Sequence, residues 1–376
     1  MRALALLSGV LALAAACGCS RALPTTSGRG AGPAATQAAP AGELGLHVLP
    51  DESDAFFLRA LNGARRSIKL QVYMLTHPGV VEALGAARAR GVEVRVLMEE
   101  KPFNPGNPAS PLPTNKAAAK KLEAAGVAVR WTDPRFRFTH AKLVTIDDGV
   151  TFISTANFTK SGLNAGGTGV REYLVEDRAP SDVAELGRMF AADWERTPFT
   201  PTDPDLVISP TTSRRQIFDL IRAARKEVVV QVEVAGDRAL DDLLAQKVRE
   251  GVRVRAMLAN LKALAAGGDP VYRSNLDVAR AWQAAGVRVV LQDKPHLHAK
   301  AVQVDRGAFY VGSVNMTTNS MDNNREVGIV VRTPALAERL AEVLDRDHAA
   351  GGPVPTGDPT SKAPIGPLLE FPGLPL

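Results

Sequence analysis

The sequence predicts an α/β protein made of two similar α/β units, and three observations support this. Strand-like and helix-like segments alternate along most of the chain, segments of the first half recur in the second half, and one histidine-containing motif occurs in both halves. Alternation of this kind is typical of a mainly parallel sheet with helices on both of its faces.

The internal repeat is visible in three pairs of segments. Residues 64–72 (ARRSIKLQV) match 224–232 (ARKEVVVQV), residues 91–96 (GVEVRV) match 251–256 (GVRVRA), and residues 124–127 (AAGV) match 284–287 (AAGV). All three pairs are 160 positions apart. We conclude that one structural unit occurs twice.

The elements of the first unit follow from its apolar pattern and its glycines. Helices are predicted to end at Gly91 and Gly126, since glycine commonly terminates a helix. The predicted strands cover 68–75, 92–98, 127–132, 141–147, 151–155 and 173–176, and the predicted helices cover 80–90, 116–125 and 181–195. The second unit repeats this order and closes with a helix over 334–347. The Pro- and Asn-rich loop over 101–115 follows a strand, so it is either part of a substrate entrance or a loop without a binding role.

The N-terminus predicts export. Arg2 precedes an apolar run over 3–16 that is too short to span a bilayer, and small residues then lead to Cys17 and Cys19. This pattern is similar to a bacterial lipoprotein signal over 1–19 with Cys17 or Cys19 as the lipidated residue, and an ordinary secretory signal is the alternative. The predicted location is the cell envelope, lipid-anchored at the outer membrane or in the periplasm, or otherwise outside the cell.

The rest of the chain divides by composition. The predicted segments are a flexible linker over 20–45, unit 1 over 46–200, unit 2 over 201–350 and a Pro/Gly-rich tail over 351–376. Because Cys17 and Cys19 are the only cysteines, the folded part has neither a disulfide nor a thiolate metal site. The formal net charge of +5 favours anionic partners only mildly.

One motif with the same spacing occurs in both units and carries polar groups suited to a phosphate. It comprises His140, Lys142, Asp147, Thr155 and Asn157 in the first unit and His298, Lys300, Asp305, Ser313 and Asn315 in the second. The two-residue period of a strand puts histidine and lysine on one face, and the hydroxyl and carboxamide on one face of the next strand. Each unit thus offers hydrogen-bond donors for phosphate oxygens. It also offers a ring nitrogen that can attack the phosphate or protonate it.

The doubled pattern H-x-K-x4-D-x6-G-[ST]-x-N resembles the phospholipase D superfamily, and the likeness covers residues 46–350. The second copy fits completely, whereas the first has Ser154 where glycine is usual. The resemblance implies that the two units pack about a pseudo-twofold axis, so that both motifs meet in one cleft of a monomer. It also implies two displacement steps through a phosphohistidine, with His140 as the nucleophile and His298 as the acid and base.

The resemblance also implies roles for the other motif residues. Lys142 and Lys300 neutralise the phosphoryl oxygens, Asn157 and Asn315 donate hydrogen bonds, and Thr155 and Ser313 support them. Fixed cations can replace metal ions in phosphoryl transfer, so we expect no metal or other cofactor. Since one chain holds both motifs, we also expect no obligate protein partner. Each histidine needs an acceptor on its other ring nitrogen, and four acids are candidates without a preference: Asp147, Asp305, Glu172 and Glu326. The two glutamates lie in matching pairs, Arg171-Glu172 and Arg325-Glu326, and a structural ion pair is the alternative role for each acid.

Three functions fit this chemistry. The first is a phospholipase D that hydrolyses phospholipid at a membrane surface to phosphatidic acid and a free alcohol. The alternative is a phosphatidyltransferase similar to cardiolipin synthase, against which we count the lack of paired N-terminal transmembrane helices. An exported nuclease is the third, and the 5% aromatic content offers little surface for stacking bases.

Overall fold

The computed structural model describes residues 43–103, 112–260 and 275–356, all of which fall within one compact unit. The predictions of a signal, of lipidation at Cys17 or Cys19 and of a linker therefore lie outside the described residues, except for the last three linker positions. Most of the predicted tail and the middle of the 101–115 loop also lie outside them.

The structure confirms two similar α/β units. The first contains β1 (Leu44–Leu49), α1 (Ala55–Gly63), β2 (Ser67–Val72), α2 (Pro78–Ala89), β3 (Glu93–Met98), α3 (Thr114–Ala124), β4 (Ala128–Trp131), β5 (Lys142–Ile146), β6 (Val150–Ser154), β7 (Val170–Asp177) and α4 (Pro180–Glu195). The second contains β8 (Leu206–Ile208), α5 (Ser213–Ala223), β9 (Glu227–Val232), α6 (Arg238–Arg249), β10 (Arg253–Ala259), α7 (Asn275–Ala284), β11 (Arg288–Gln292), β12 (His296–Leu297), β13 (Lys300–Val304), β14 (Ala308–Gly312), α8 (Thr318–Asp322), β15 (Val327–Val331) and α9 (Pro334–Ala350).

Both sheets have the same strand order. The first runs β1-β7-β6-β5-β2-β3-β4, and the second runs β8-β15-β14-β13-β9-β10-β11. Along these two orders, only the pairs β2·β3 and β3·β4 and their equivalents in the second sheet are parallel; β12, which lies off these orders, also pairs in parallel with β7. The sheets are therefore mixed rather than mainly parallel. Only residues 147–149 join β5 to β6, which is too short for a parallel crossover, and β7 then pairs antiparallel with β6.

Equivalent caps and glycines delimit the α2 and α6 helices. The His77 ring accepts a hydrogen bond from the Val80 N–H at the start of α2, and the Asp237 carboxylate accepts one from the Leu240 N–H at the start of α6. Just after α2, Gly91 has φ +92°, a conformation that favours glycine because it has no Cβ. These local signals explain why the predicted helix ends agree closely with the observed ones.

The two repeats share a core. Apolar residues of both sheets and of α4 and α9 form one buried cluster, which includes Leu143, Ile153, Leu186, Val311, Ile329 and Leu340. Separate clusters lie under α1–α3 and under α5–α7. Burial of apolar surface thus holds the repeats together. Within the described residues, no helix is both long and apolar enough to cross a bilayer.

Buried ion pairs also connect the repeats. The Arg171 guanidinium donates to Asp347 of α9 at 2.7 and 3.0 Å, and the Arg325 guanidinium donates to Asp193 of α4 at 2.9 Å. Gln231 and Gln71 donate to the same two aspartates, each at 2.9 Å. A buried charge without its partner is costly, so these pairs favour one relative placement of the repeats.

Candidate active site

Each H-x-K segment pairs with the backbone of the opposite repeat. The His140 N–H donates to the Arg325 carbonyl at 2.8 Å, next to a parallel bridge between Thr139 and Arg325. In the second repeat, β12 pairs in parallel with β7, so that His296 lies opposite Val170. These crossed pairings bring the two motifs together at the interface between the repeats.

The crossed pairing gives each histidine an acid from the other repeat. His140 Nδ1 lies 2.8 Å from Glu326 Oε2, and His298 Nδ1 lies 2.5 Å from Glu172 Oε1. Both glutamates are buried. Because each Nδ1 lies against a carboxylate, Nε2 is the ring nitrogen that each histidine presents to a substrate.

Neighbouring side chains fix the two orienting glutamates. The Thr155 hydroxyl donates to Glu172 Oε2 at 2.5 Å, and the Asn324 amide donates to Glu326 Oε1 at 3.0 Å. Ser313 instead bonds to the backbone of Val327, accepting from its N–H at 3.0 Å. Thr155 thus holds the Glu172 carboxylate directly. Ser313 instead holds the backbone of Val327, the residue after Glu326.

The two motif lysines are fully buried and lie against the backbone of their own histidines. Lys142 Nζ donates to the His140 carbonyl at 2.6 Å, and Lys300 Nζ donates to the His298 carbonyl. Burial lowers the pKa of Lys142 to about 7, with the charge of Lys300 adding to the effect and that of Glu326 opposing it. The lysines are thus positioned to neutralise phosphoryl oxygens beside the histidines.

His140 is neutral near pH 7. Burial lowers its pKa to about 4, against the raising effect of the Glu326 charge, and the charge of Lys142 lowers it further. Burial acts to raise the pKa of Glu326, but the positive groups beside it prevail and the pKa is lowered. A neutral imidazole that donates Nδ1–H to a carboxylate has a lone pair on Nε2, as a nucleophile requires.

Glu233 is a residue of the site that the sequence analysis missed. It follows β9, and its Oε2 lies 2.7 Å from Lys300 Nζ and 3.5 Å from His298 Nε2. Although burial acts to raise its pKa, the charges of His298 and Lys300 lower it well below the usual range. The internal repeat could have revealed Glu233. It occupies the position equivalent to Tyr73, 160 residues earlier, and the two repeats carry chemically different residues there.

The motif asparagines each lie three residues after a strand, Asn157 after β6 and Asn315 after β14. Asn315 Oδ1 accepts a hydrogen bond from the Val234 N–H at 3.2 Å, directly after Glu233. Asn157 Oδ1 is buried and has no hydrogen-bond partner among the described residues. Ser154, which replaces the usual glycine, accepts from the Ala156 N–H at 2.9 Å and so stabilises this loop.

The motif aspartates lie away from both histidines. Asp147 accepts hydrogen bonds from the N–H groups of residues 65–67, and Asp305 from those of residues 225–227. At roughly 3.3 Å per residue, Asp147 is about 20 Å from His140 along an extended strand. The structure therefore corrects our assignment of both aspartates to the catalytic group: they hold the turns that precede β2 and β9.

Comparisons with known proteins find relatives that cover most of the chain. A family model described as cardiolipin synthase, PLD-like domain, matches residues 57–194 and 217–348. Cardiolipin synthase A of Yersinia pseudotuberculosis serotype O:1b (strain IP 31758) is 27% identical over 360 residues, which cover 86% of this chain and 72% of that protein. The same protein from Yersinia pestis bv. Antiqua (strain Angola) matches equally.

Two solved structures share the fold. Phosphatidylserine synthase from Haemophilus influenzae Rd KW20 superposes with a TM-score of 0.62 and 14% identity, over 83% of this chain and 87% of that one. Polyphosphate kinase from Porphyromonas gingivalis gives a TM-score of 0.61 and 17% identity over 80% of this chain, which spans 50% of the kinase. At these identities the likeness concerns the fold alone.

The predicted location is wrong. We expected a protein exported to the cell envelope or secreted, but the curated relatives are cardiolipin synthases A, which are inner-membrane proteins. The expected signal and the lipidation of Cys17 or Cys19 have no support from these relatives either.

Proposed function

The chain belongs to the family of cardiolipin synthase, PLD-like domains, within the phospholipase D superfamily, and on that premise we propose that it is a phosphatidyltransferase. It exchanges the alcohol of a phospholipid for a second, lipid-borne alcohol. The match of the family model to both repeats carries this proposal, and the names of the curated relatives support transfer over hydrolysis. Hydrolysis to phosphatidic acid, our first interpretation of the sequence, is the same chemistry with water as the acceptor and has less support.

The first step forms a covalent intermediate. Nε2 of neutral His140 attacks phosphorus, the bond between phosphorus and the leaving alcohol oxygen breaks, and protonated His298 gives its Nε2 proton to that oxygen. The products are phosphatidyl-His140, a free alcohol and neutral His298. The ionised Glu326 stabilises the positive charge that the His140 ring gains when it bonds to phosphorus.

The second step reverses the first with a new alcohol. Neutral His298 takes the proton of the incoming hydroxyl, whose oxygen attacks phosphorus while the bond between phosphorus and His140 breaks. His140 returns to its neutral form and His298 to its protonated form. Glu172 and Glu233 lie one at each ring nitrogen of His298 and so orient the ring.

A product analysis tests this proposal. We expect the purified protein, incubated with phosphatidylglycerol vesicles, to form cardiolipin and glycerol in equal amounts and in excess over phosphatidic acid, as measured by mass spectrometry. Turnover disappears in His140→Ala and in His298→Ala, while circular dichroism shows a retained fold. Phosphatidic acid as the main product contradicts transfer, and full activity of either variant contradicts the two-histidine mechanism.

A further inference from the structure

The two half-sites differ at two neighbouring positions, in the same chemical sense. Tyr73 in the first repeat corresponds to Glu233 in the second, and Phe138 corresponds to His296, since each lies two positions before its motif histidine. An aromatic pair beside His140 is thus replaced by a carboxylate and an imidazole beside His298. Two such changes at once make the paired histidines chemically unequal.

The wall beside His140 is an aromatic ring surface. The Tyr73 ring meets the His140 ring edge to face, with centroids 4.7 Å apart, and meets the Phe138 ring with centroids 6.0 Å apart. Lys142 Nζ lies 5.2 Å from the centroid of the Tyr73 ring. The Tyr73 hydroxyl accepts a hydrogen bond from the Phe103 N–H at 2.6 Å. Ring carbons rather than oxygens therefore face His140 on this side.

The wall beside His298 carries an oxygen acceptor. Glu233 uses Oε2 for both of its contacts, with Lys300 and with His298, and Oε1 has no hydrogen bond to any residue in the described ranges. The side chain is 21% exposed, so Oε1 can be reached. Its charge also acts on His296, whose pKa is lowered by burial against the raising effect of Glu233. The second half-site thus presents an ionised and only partly occupied carboxylate.

Because displacement at phosphorus is in line, the Glu233 carboxylate lies on the side of phosphorus where the alcohols leave and enter. With His140 attacking on one side of phosphorus, the leaving alcohol departs on the opposite side, where His298 donates the proton, and the incoming alcohol enters there. We propose that Glu233 is the specificity residue for that alcohol, and that its Oε1 accepts a hydrogen bond from a second hydroxyl group next to the reacting one. This inference rests on the proposed function.

The charge balance favours a neutral polyol over an amino alcohol. Lys300 lies 2.7 Å from the Glu233 carboxylate, so one cation already balances its charge. An ammonium group would add a second positive charge to a carboxylate that is already neutralised, whereas a hydroxyl group adds only a donor. A site that hydrogen-bonds a hydroxyl discriminates against an alcohol that lacks it.

A competition between alcohols tests the role of Glu233. The donor is a phosphatidyl-p-nitrophenol, whose leaving group needs no proton, so that product ratios depend only on the second step. Glycerol and 1-propanol are supplied together at equal concentration, and phosphatidylglycerol and phosphatidylpropanol are quantified. The wild-type protein is expected to favour glycerol by about tenfold or more after correction for its two primary hydroxyl groups.

Two variants and a matched control locate the preference. Glu233→Met, which keeps the length but has no oxygen, is expected to bring the ratio close to one, and Glu233→Gln, which keeps an acceptor, retains most of it. Tyr73→Phe, at the equivalent position of the other repeat, leaves the ratio unchanged. A Glu233→Met protein with the wild-type ratio overturns the inference, and so does a Tyr73→Phe protein whose ratio shifts as strongly.

The wild-type protein alone provides a second check. If Glu233→Met does not fold, 1,2-propanediol, 1-propanol and ethanolamine are compared as acceptors in the unmodified enzyme. Preference for the diol supports the inference, and equal use of all three or a preference for ethanolamine overturns it. Formation of neither phosphatidyl alcohol contradicts the proposed function, whereas formation of both in equal amounts contradicts only the role of Glu233.

Discussion

Replacing Asp147 with asparagine is expected to weaken the fold and to leave catalysis nearly intact. The carboxylate accepts hydrogen bonds from the N–H groups of Arg65, Arg66 and Ser67 at 3.0, 2.6 and 2.9 Å. Asp147 has φ +54°, a left-handed conformation that asparagine also tolerates. The substitution therefore removes the charge and one acceptor oxygen without adding backbone strain.

The magnitude follows from these bonds. A hydrogen bond to a charged group contributes about 1.5–3 kcal/mol, and asparagine keeps one of the two oxygens, so we expect a loss of about 2 kcal/mol in the free energy of unfolding. For a folded part of roughly 300 residues, at about 2.1 cal/mol/K per residue, that loss corresponds to a decrease of about 3 °C in Tm. The value of kcat per folded molecule stays close to that of the wild type, because the carboxylate lies at the end of β5 opposite to His140.

The assay combines thermal unfolding with steady-state transfer rates at a temperature where both proteins are folded. Asp148→Asn is the matched control, since Asp148 is the next residue, also has a positive φ, and pairs only with the Lys69 side chain at an exposed site. It is expected to change neither quantity. An Asp147→Asn protein with unchanged Tm and a kcat lowered by about a hundredfold would refute the structural role, since a loss of that size is typical of an acid–base residue.

Three further predictions concern the interface and the site. The pH profile of kcat/KM rises as His140 loses its proton near pH 4 and falls as Lys142 loses its own near pH 7, and Lys142→Arg removes the part of the alkaline decrease that Lys142 causes, because arginine stays charged; an unchanged alkaline limb in that variant contradicts the assignment. Glu326→Gln lowers kcat by about a hundredfold or more, as measured by initial rates, because a neutral amide cannot stabilise the charge that the His140 ring gains, and its NH2 group can turn to Nδ1 and favour the wrong tautomer; wild-type rates contradict this role. Arg325→Met lowers the free energy of unfolding in urea by about 3–5 kcal/mol because Asp193 is left buried without its cation, and adding Asp193→Asn restores part of that loss; equal stability of the single variant and the wild type contradicts this reasoning.

Much of the fold could be predicted from the sequence because its signals are local. The glycine after α2 and the apolar runs of β2 and β3 depend on neighbouring residues alone. In contrast, no strand was predicted for β1, whose first two residues were assigned to the linker, and β12 has only two residues. Both strands exist because β7 supplies their hydrogen-bond partners, and a partner distant in sequence leaves no periodic pattern.

The histidines and lysines of the site could be predicted because the motif repeats with fixed spacing. The acids could not be assigned, since the distance between Glu326 and His140 depends on how two repeats pack rather than on either sequence segment. Asp147 was misassigned because we did not apply the length of an extended strand to its spacing. Glu233 was missed because the comparison of the repeats searched for identities and passed over a difference.

Each motif histidine contacts a glutamate of the other repeat, and this affects when the site forms during synthesis of the chain. The contact between His140 and Glu326 spans 186 positions, and contacts of long sequence separation form late because a large loop must close first. A nascent chain that ends before Glu326 already carries His140 and Lys142 but lacks the group that orients the nucleophile. The oriented nucleophile therefore forms only once synthesis of both halves is nearly complete, and an unfinished polypeptide lacks it.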